Sequence, residues 1–170
     1  MQTKKRHPII NLTSFLLFFL TFIISFTDII NISIKNAEPF IFLPLLTAFS
    51  MFGGVGASAA VGFVAGIFID SCASGAVCFN ALILMLSAAA VSLFSERLFN
   101  RNIRSAVMLC VIVSLVYFLL RWAVFYAFGS GSQDNLTYLL SYAFPSMLYT
   151  DVFIFPFYFI YRHFYRLVNA

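Results

Sequence analysis

The stretch PFIFLPLLTAFSMFGGVGASAAVGFVAGIFI, Pro39–Ile69, holds 31 residues and no charge. A membrane span needs about 20 apolar residues, with a usual range of about 17–25. The stretch is therefore either one long tilted helix or a tight hairpin of two short ones. Gly53-Gly54-x-Gly56 supplies a break near its middle, and glycine is the residue that weakens a helix interior.

The positions of the basic residues decide between the two. Lys and Arg gather at Lys4/Lys5/Arg6, Arg97/Arg101/Arg104 and Arg162/Arg166. Cytoplasmic loops are enriched in these residues. All three clusters share one side only if an even number of spans separates each from the next. The remaining apolar runs are Pro8–Thr27, Ala76–Phe94, Ser105–Phe128 and Leu136–Tyr161. With Pro39–Ile69 counted as two spans, four separate the first and second clusters and the parity works. The predicted spans are approximately 8–27, 37–53, 56–72, 76–94, 105–127 and 137–161, with both termini in the cytoplasm. Lys35 then lies outside and Arg121 within a span. The hairpin helices are short. They must extend into Ala37–Glu38 and Ser71–Cys72, tilt little, or thin the bilayer.

Composition agrees. Of 170 residues, 62% are apolar and 9% charged, against about 25% charged in a soluble domain. Too few polar side chains are present to cover a water-soluble fold of this size. The fold class expected is an all-α integral membrane protein, a six-transmembrane-helix bundle. The first apolar run follows a basic start, yet it is 20 residues long with no A-x-A site before Asp28. It reads as a retained first helix rather than a signal peptide.

Chemistry is sparse. The histidines, His7 and His163, sit at opposite ends of the chain, outside every span. No G-x-S-x-G or H-E-x-x-H occurs, no carboxylates pair at helical spacing, and nothing resembles a nucleotide-binding loop. No catalytic residue, cofactor, metal or nucleic-acid partner is expected. Cys72, Cys78 and Cys110 read as small apolar residues in membrane helices, with a Cys72–Cys78 disulfide near the outer surface left open.

The sharpest pattern is Ser58-x-x-x-Gly62-x-x-x-Gly66-x-x-x-Asp70. Positions four apart share a helix face, so a stripe of small residues ends in a carboxylate. Small residues let a second helix approach closely. The stripe serves helix packing within the chain or contact with a partner. Arg121 and Asp151 are the other charges at membrane depth, where facing lipid costs several kcal/mol, about 2.5–3.5 on insertion scales. Arg121 lies 17 residues past Arg104, a rise of roughly 25 Å, close to the outer leaflet. Asp151 lies 11 residues before Arg162, about 16 Å above the inner surface, so the two depths match poorly for a pair. Each is a structural polar contact or a partner contact. Phe153, Phe155, Phe157, Tyr158, Phe159, Tyr161, Phe164 and Tyr165 straddle the inner interface, as an aromatic belt or as a docking face for a partner's membrane helix.

Residues 37–82, AEPFIFLPLLTAFSMFGGVGASAAVGFVAGIFIDSCASGAVCFNAL, combine a Pro-led apolar hairpin, GF-x-x-G-x-x-x-D and a small turn with Gly75. The later piece FPSMLYTDVFIFPFYFIYRHF carries Pro145-Ser-x-Leu-Tyr149, Pro156 and a basic tail. Both pieces, with the length and the six-span layout, resemble the rod shape-determining protein MreD family over essentially the whole chain. Where that family often shows Asn after the Leu-Tyr pair, this chain has Thr150 and then Asp151.

The resemblance implies a non-catalytic membrane scaffold subunit of the cell-elongation machinery in the bacterial inner (cytoplasmic) membrane. It implies binding to MreC, which links MreB filaments to the wall-building enzymes RodA and a class B penicillin-binding protein. It also implies a fold similar to the substrate-binding S-components of energy-coupling-factor transporters. That similarity defines the alternative, a vitamin-binding subunit, with Asp70, Asn80, Arg121 and Tyr142 as its candidate outer polar groups. The first span has no alanine face of the kind an S-component uses to dock, which favours the scaffold. On this reading the Gly62/Gly66 face and Asp70 are expected to contact MreC.

Overall fold

The computed structural model describes Leu16 and residues 40–72, 78–97, 102–124 and 144–169. Their regular elements are six helices: α1 (Phe42–Phe52), α2 (Val55–Cys72), α3 (Phe79–Arg97), α4 (Ile103–Trp122), α5 (Phe144–Val152) and α6 (Ile154–Asn169). The expected span 8–27 lies outside the described residues, Leu16 excepted. So do Tyr142, Lys35 and the first basic cluster.

The uncharged stretch does break at its glycines. Gly53 is extended, with φ −76° and ψ 175°. A Cβ there would lie 3.0 Å from Ser58 Oγ and 3.1 Å from the Phe49 carbonyl oxygen, so the two helices approach too closely for a larger residue without movement. The chain also turns back. At one end of the bundle Phe40 stacks on Tyr117, with centroids 4.8 Å apart, and the Tyr117 hydroxyl donates to Asn80, which in turn donates to Asp70. At the other end Ser95 donates to the Met51 carbonyl and Ser92 to the Gly53 carbonyl. Residues 40 and 70 thus share one end and residues 51–53 the other, so α1 and α2 are antiparallel. The same register carries Arg97, Arg104, Arg162 and Arg166 to the Gly53 end, because Phe52 packs against both Tyr158 and Tyr165.

Helix α1 is the core. All eleven of its residues are buried, as expected of a helix apolar all round, and it packs against each of the other five. Within the spans expected at 37–53 and 137–161 the described helices are shorter. Eleven residues rise only about 16 Å, about half the hydrocarbon thickness. The last span is two helices. Pro156 has no N–H to return to the Val152 carbonyl, and the chain bends at Phe153, whose N–H bonds to the Thr150 carbonyl at 3.1 Å. Pro44, Pro145 and Pro156 each fall in the first turn of a helix, where a missing N–H is tolerated. By length and composition α3 and α4 are apolar enough to cross a membrane.

The outside is apolar. Phe63 and Phe68 on α2, Leu86 and Phe94 on α3, and Leu115 and Leu119 on α4 are exposed. Water does not tolerate so broad an apolar exterior on a monomer; hydrocarbon does.

Candidate functional site

Helices α2 and α3 form the most extensive pair in the described structure. The small stripe is the reason. A Cβ on Gly66 would fall 2.2 Å from Ala81 Cα, and one on Gly62 2.5 Å from the Leu84 carbonyl oxygen and 3.1 Å from Ala88 Cβ. The backbones therefore meet directly along this face. Ser58, one turn earlier, is fully buried, and its hydroxyl has no hydrogen-bond partner among the described residues. The face expected to receive MreC is filled by the chain's own α3.

Asp70 ends the stripe by closing the pair. One carboxylate oxygen accepts from the Asn80 side-chain amide at 2.9 Å and from the Asn80 N–H at 3.2 Å. The other accepts from the Ala81 N–H at 2.9 Å. These N–H groups belong to the first turn of α3, where helical donors have no partner of their own. Asp70 is thus an N-cap delivered from the preceding helix, with the favourable sign for a helix N-terminus. The residue before α3 cannot serve: Cys78 is a poor capping residue and adopts φ 67°, a left-handed conformation costly for a side chain with Cβ. Its thiol is free and exposed, and the Cys72 side chain lies outside the described residues.

From Asn80 the polar contacts continue to Tyr117 at 2.8 Å, with the Arg121 guanidinium beside that hydroxyl. Phe40 stacks on the Tyr117 ring and donates its N–H to Thr150 Oγ1 at 2.9 Å, while Thr150 itself donates to the Ser146 carbonyl at 2.7 Å. Thr150 therefore satisfies a backbone donor at the entrance to α1. An acceptor is what Thr150 supplies here.

Asp151 faces elsewhere. Its oxygens accept from the Cys110 thiol at 3.4 Å and the Ser114 hydroxyl at 3.2 Å, not from Arg121, which lies nearly two turns further along α4. Sequence reasoning missed Cys110, Ser114 and Tyr117. They lie 37 or more residues from their partners, and no short-range pattern connects them. Among the described residues no cluster of three metal-ligating side chains occurs. The aromatic run divides. Tyr158 and Tyr161 enter the core beside Phe52 and Phe49, while Phe155 and Phe159 remain outside.

A family model described as rod shape-determining protein MreD matches residues 6–168. The chain belongs to the MreD family. Membership in the MreD family carries a role in determining cell shape and a place in the membrane, and the family is structural rather than enzymatic. No curated protein and no solved structure matches the chain significantly. The vitamin-binding alternative finds no support: Asp70 and Asn80, two of its candidate polar groups, are bonded to each other and to the α3 N-terminus.

Proposed function

We propose that this chain is a non-catalytic scaffold of the cell-elongation machinery, which supports peptidoglycan synthesis by binding MreC in the inner membrane. Through MreC it acts with MreB, RodA and a class B penicillin-binding protein. It is a multi-pass bundle with both termini in the cytoplasm. One observation carries this reading beyond family membership. The polar groups at the Asp70 end hold helix ends and neighbouring helices in place, while the outer faces of α2, α3 and α4 present apolar side chains. That is the design of a rigid membrane body offering surface rather than chemistry. The orientation is supported by Arg97, Arg104, Arg162 and Arg166 at one end.

Co-expression with MreC and purification through a tag on this chain tests the partner. MreC is expected to stay bound in mild detergent, and depletion of this chain is expected to round the cells. Rod-shaped growth without the chain, together with no retained MreC, overturns the reading. Orientation is tested by thiol labelling in a Cys72→Ser background. Cys78 is expected to react with an impermeant maleimide from outside, and Asn102→Cys only after lysis. The reverse pattern refutes the topology.

A further inference from the structure

We propose that Asp151 and the exposed stripe around it form an intramembrane seat for a partner protein's membrane helix, one bearing a hydrogen-bond donor at mid-bilayer depth. This rests on the scaffold reading above and locates its contact surface.

Depth comes first. Asp151 bonds to Cys110 and Ser114, the eighth and twelfth of the twenty residues of α4. Helix α4 is long enough to cross the bilayer, so this carboxylate lies near the middle of the hydrocarbon. A carboxylate there needs donors, because lipid supplies none. Its two donors are weak. The thiol contact is 3.4 Å long, and the single Ser114 hydroxyl proton is shared with the Val111 carbonyl at 3.1 Å. A carboxylate has about four acceptor positions, and Asp151 is only half-buried. The remaining positions open outward.

They open onto a helix-packing seam. Phe144, Leu148, Phe155 and Phe159 are exposed, and with Asp151 they recur at spacings of four, three, four and four. Positions four apart share a helix face, which groups Phe144 with Leu148 on α5 and Phe155 with Phe159 on α6, with Asp151 next to the bend between them. The seam also crosses the bend at Phe153, where Pro156 cannot return a hydrogen bond to the Val152 carbonyl. Val152, one residue from Asp151, is exposed. The broader apolar face of α4 lacks such acceptors: Met108, Ile112, Leu115 and Leu119 offer lipid only apolar side chains. Among the exposed faces described, this seam sets apolar side chains beside a half-buried carboxylate that accepts one hydrogen bond on each oxygen. It calls for donors such as a hydroxyl, amide or cationic side chain, carried on a helix whose flanks are apolar.

The test uses the full chain co-expressed with MreC in membranes. A photoreactive phenylalanine replaces Leu148 or Phe155 on the seam, or Leu86 or Phe94 on α3. Cross-links from the seam to the membrane helix of MreC, and not from α3, are expected. Asp151→Leu is expected to lower that cross-linking about three- to tenfold, while Asp151→Asn, which keeps an acceptor, retains most of it. Equal expression and an unchanged unfolding midpoint show that both variants fold. Four results overturn the seat: MreC cross-linked from α3 alone, a product the mass of two copies of this chain, a link confined within one chain, or seam cross-linking indifferent to Asp151→Leu. In the first of these the scaffold reading survives. Loss of MreC from every position and from co-purification removes the scaffold reading itself.

Discussion

Two carboxylates in the same bundle are treated in opposite ways. Asp70 receives three hydrogen bonds, two of them from backbone N–H groups at the start of a helix. Asp151 receives two, from a thiol and a shared hydroxyl, both longer than 3.0 Å. Around Asp70 the backbones of α2 and α3 touch through glycine. Around Asp151 the helix bends and large side chains stand exposed. Where lipid replaces water as the surrounding medium, polar groups must be satisfied within protein. The Asp70 region is finished by the chain itself, whereas the Asp151 region has acceptors to spare.

The contrast can be broken by substitution. The largest effect is expected from Gly66→Leu, since even a Cβ would overlap the Ala81 backbone at 2.2 Å. Separation of α2 from α3 is expected, at about 3 kcal/mol or more, read as loss of a monodisperse peak and of cooperative unfolding in detergent. Unchanged unfolding would mean that the pair is not closed along this face. Next, Asp70→Asn turns an acceptor into a donor facing N–H groups and should lower stability by about 1–3 kcal/mol; thermal unfolding measures it. Cys78→Gly acts on the same region with the opposite sign. Glycine accepts φ 67° without the Cβ clash, so a gain of up to about 1 kcal/mol is expected. The smallest effect belongs to Asp151→Asn, under about 0.6 kcal/mol in the isolated chain. Equal losses from the two Asp→Asn variants would erase the distinction between the regions.

Much of the architecture was legible in the sequence. Three glycines within four residues, in an uncharged stretch too long for one span, marked the reversal at Gly53-Gly54. The stripe Ser58/Gly62/Gly66 announced a close helix contact, but a stripe of small residues says only that something approaches, not what. Here it is α3, whose contacting residues lie 14 to 26 positions downstream. The role of Asp70 was hidden because capping is normally sought in the residue just before a helix; the available sign was that Cys78-Phe79 offers no good cap while a carboxylate waits eight residues earlier. The enclosure of α1 was illegible for a different reason. A helix apolar on every side suits lipid and protein interior equally, so only its neighbours could decide. The Asp151 contacts with Cys110 and Ser114 depend on which helices become adjacent, and no local spacing encodes that.

The enclosure of α1 also bears on how the protein is made. Eleven residues cannot hold themselves across a bilayer at the translocon, and the serines that receive the carbonyls of Met51 and Gly53 are translated only some forty residues later. Entry into the membrane must therefore be joint, with Phe42–Phe52 carried in beside Val55–Cys72 as one inserting unit. It then waits, half-sheltered, for Ile154–Asn169 to leave the ribosome and seal it. The core of this chain is accordingly closed last, at the C-terminus, and a truncation before Phe144 would strand its innermost helix.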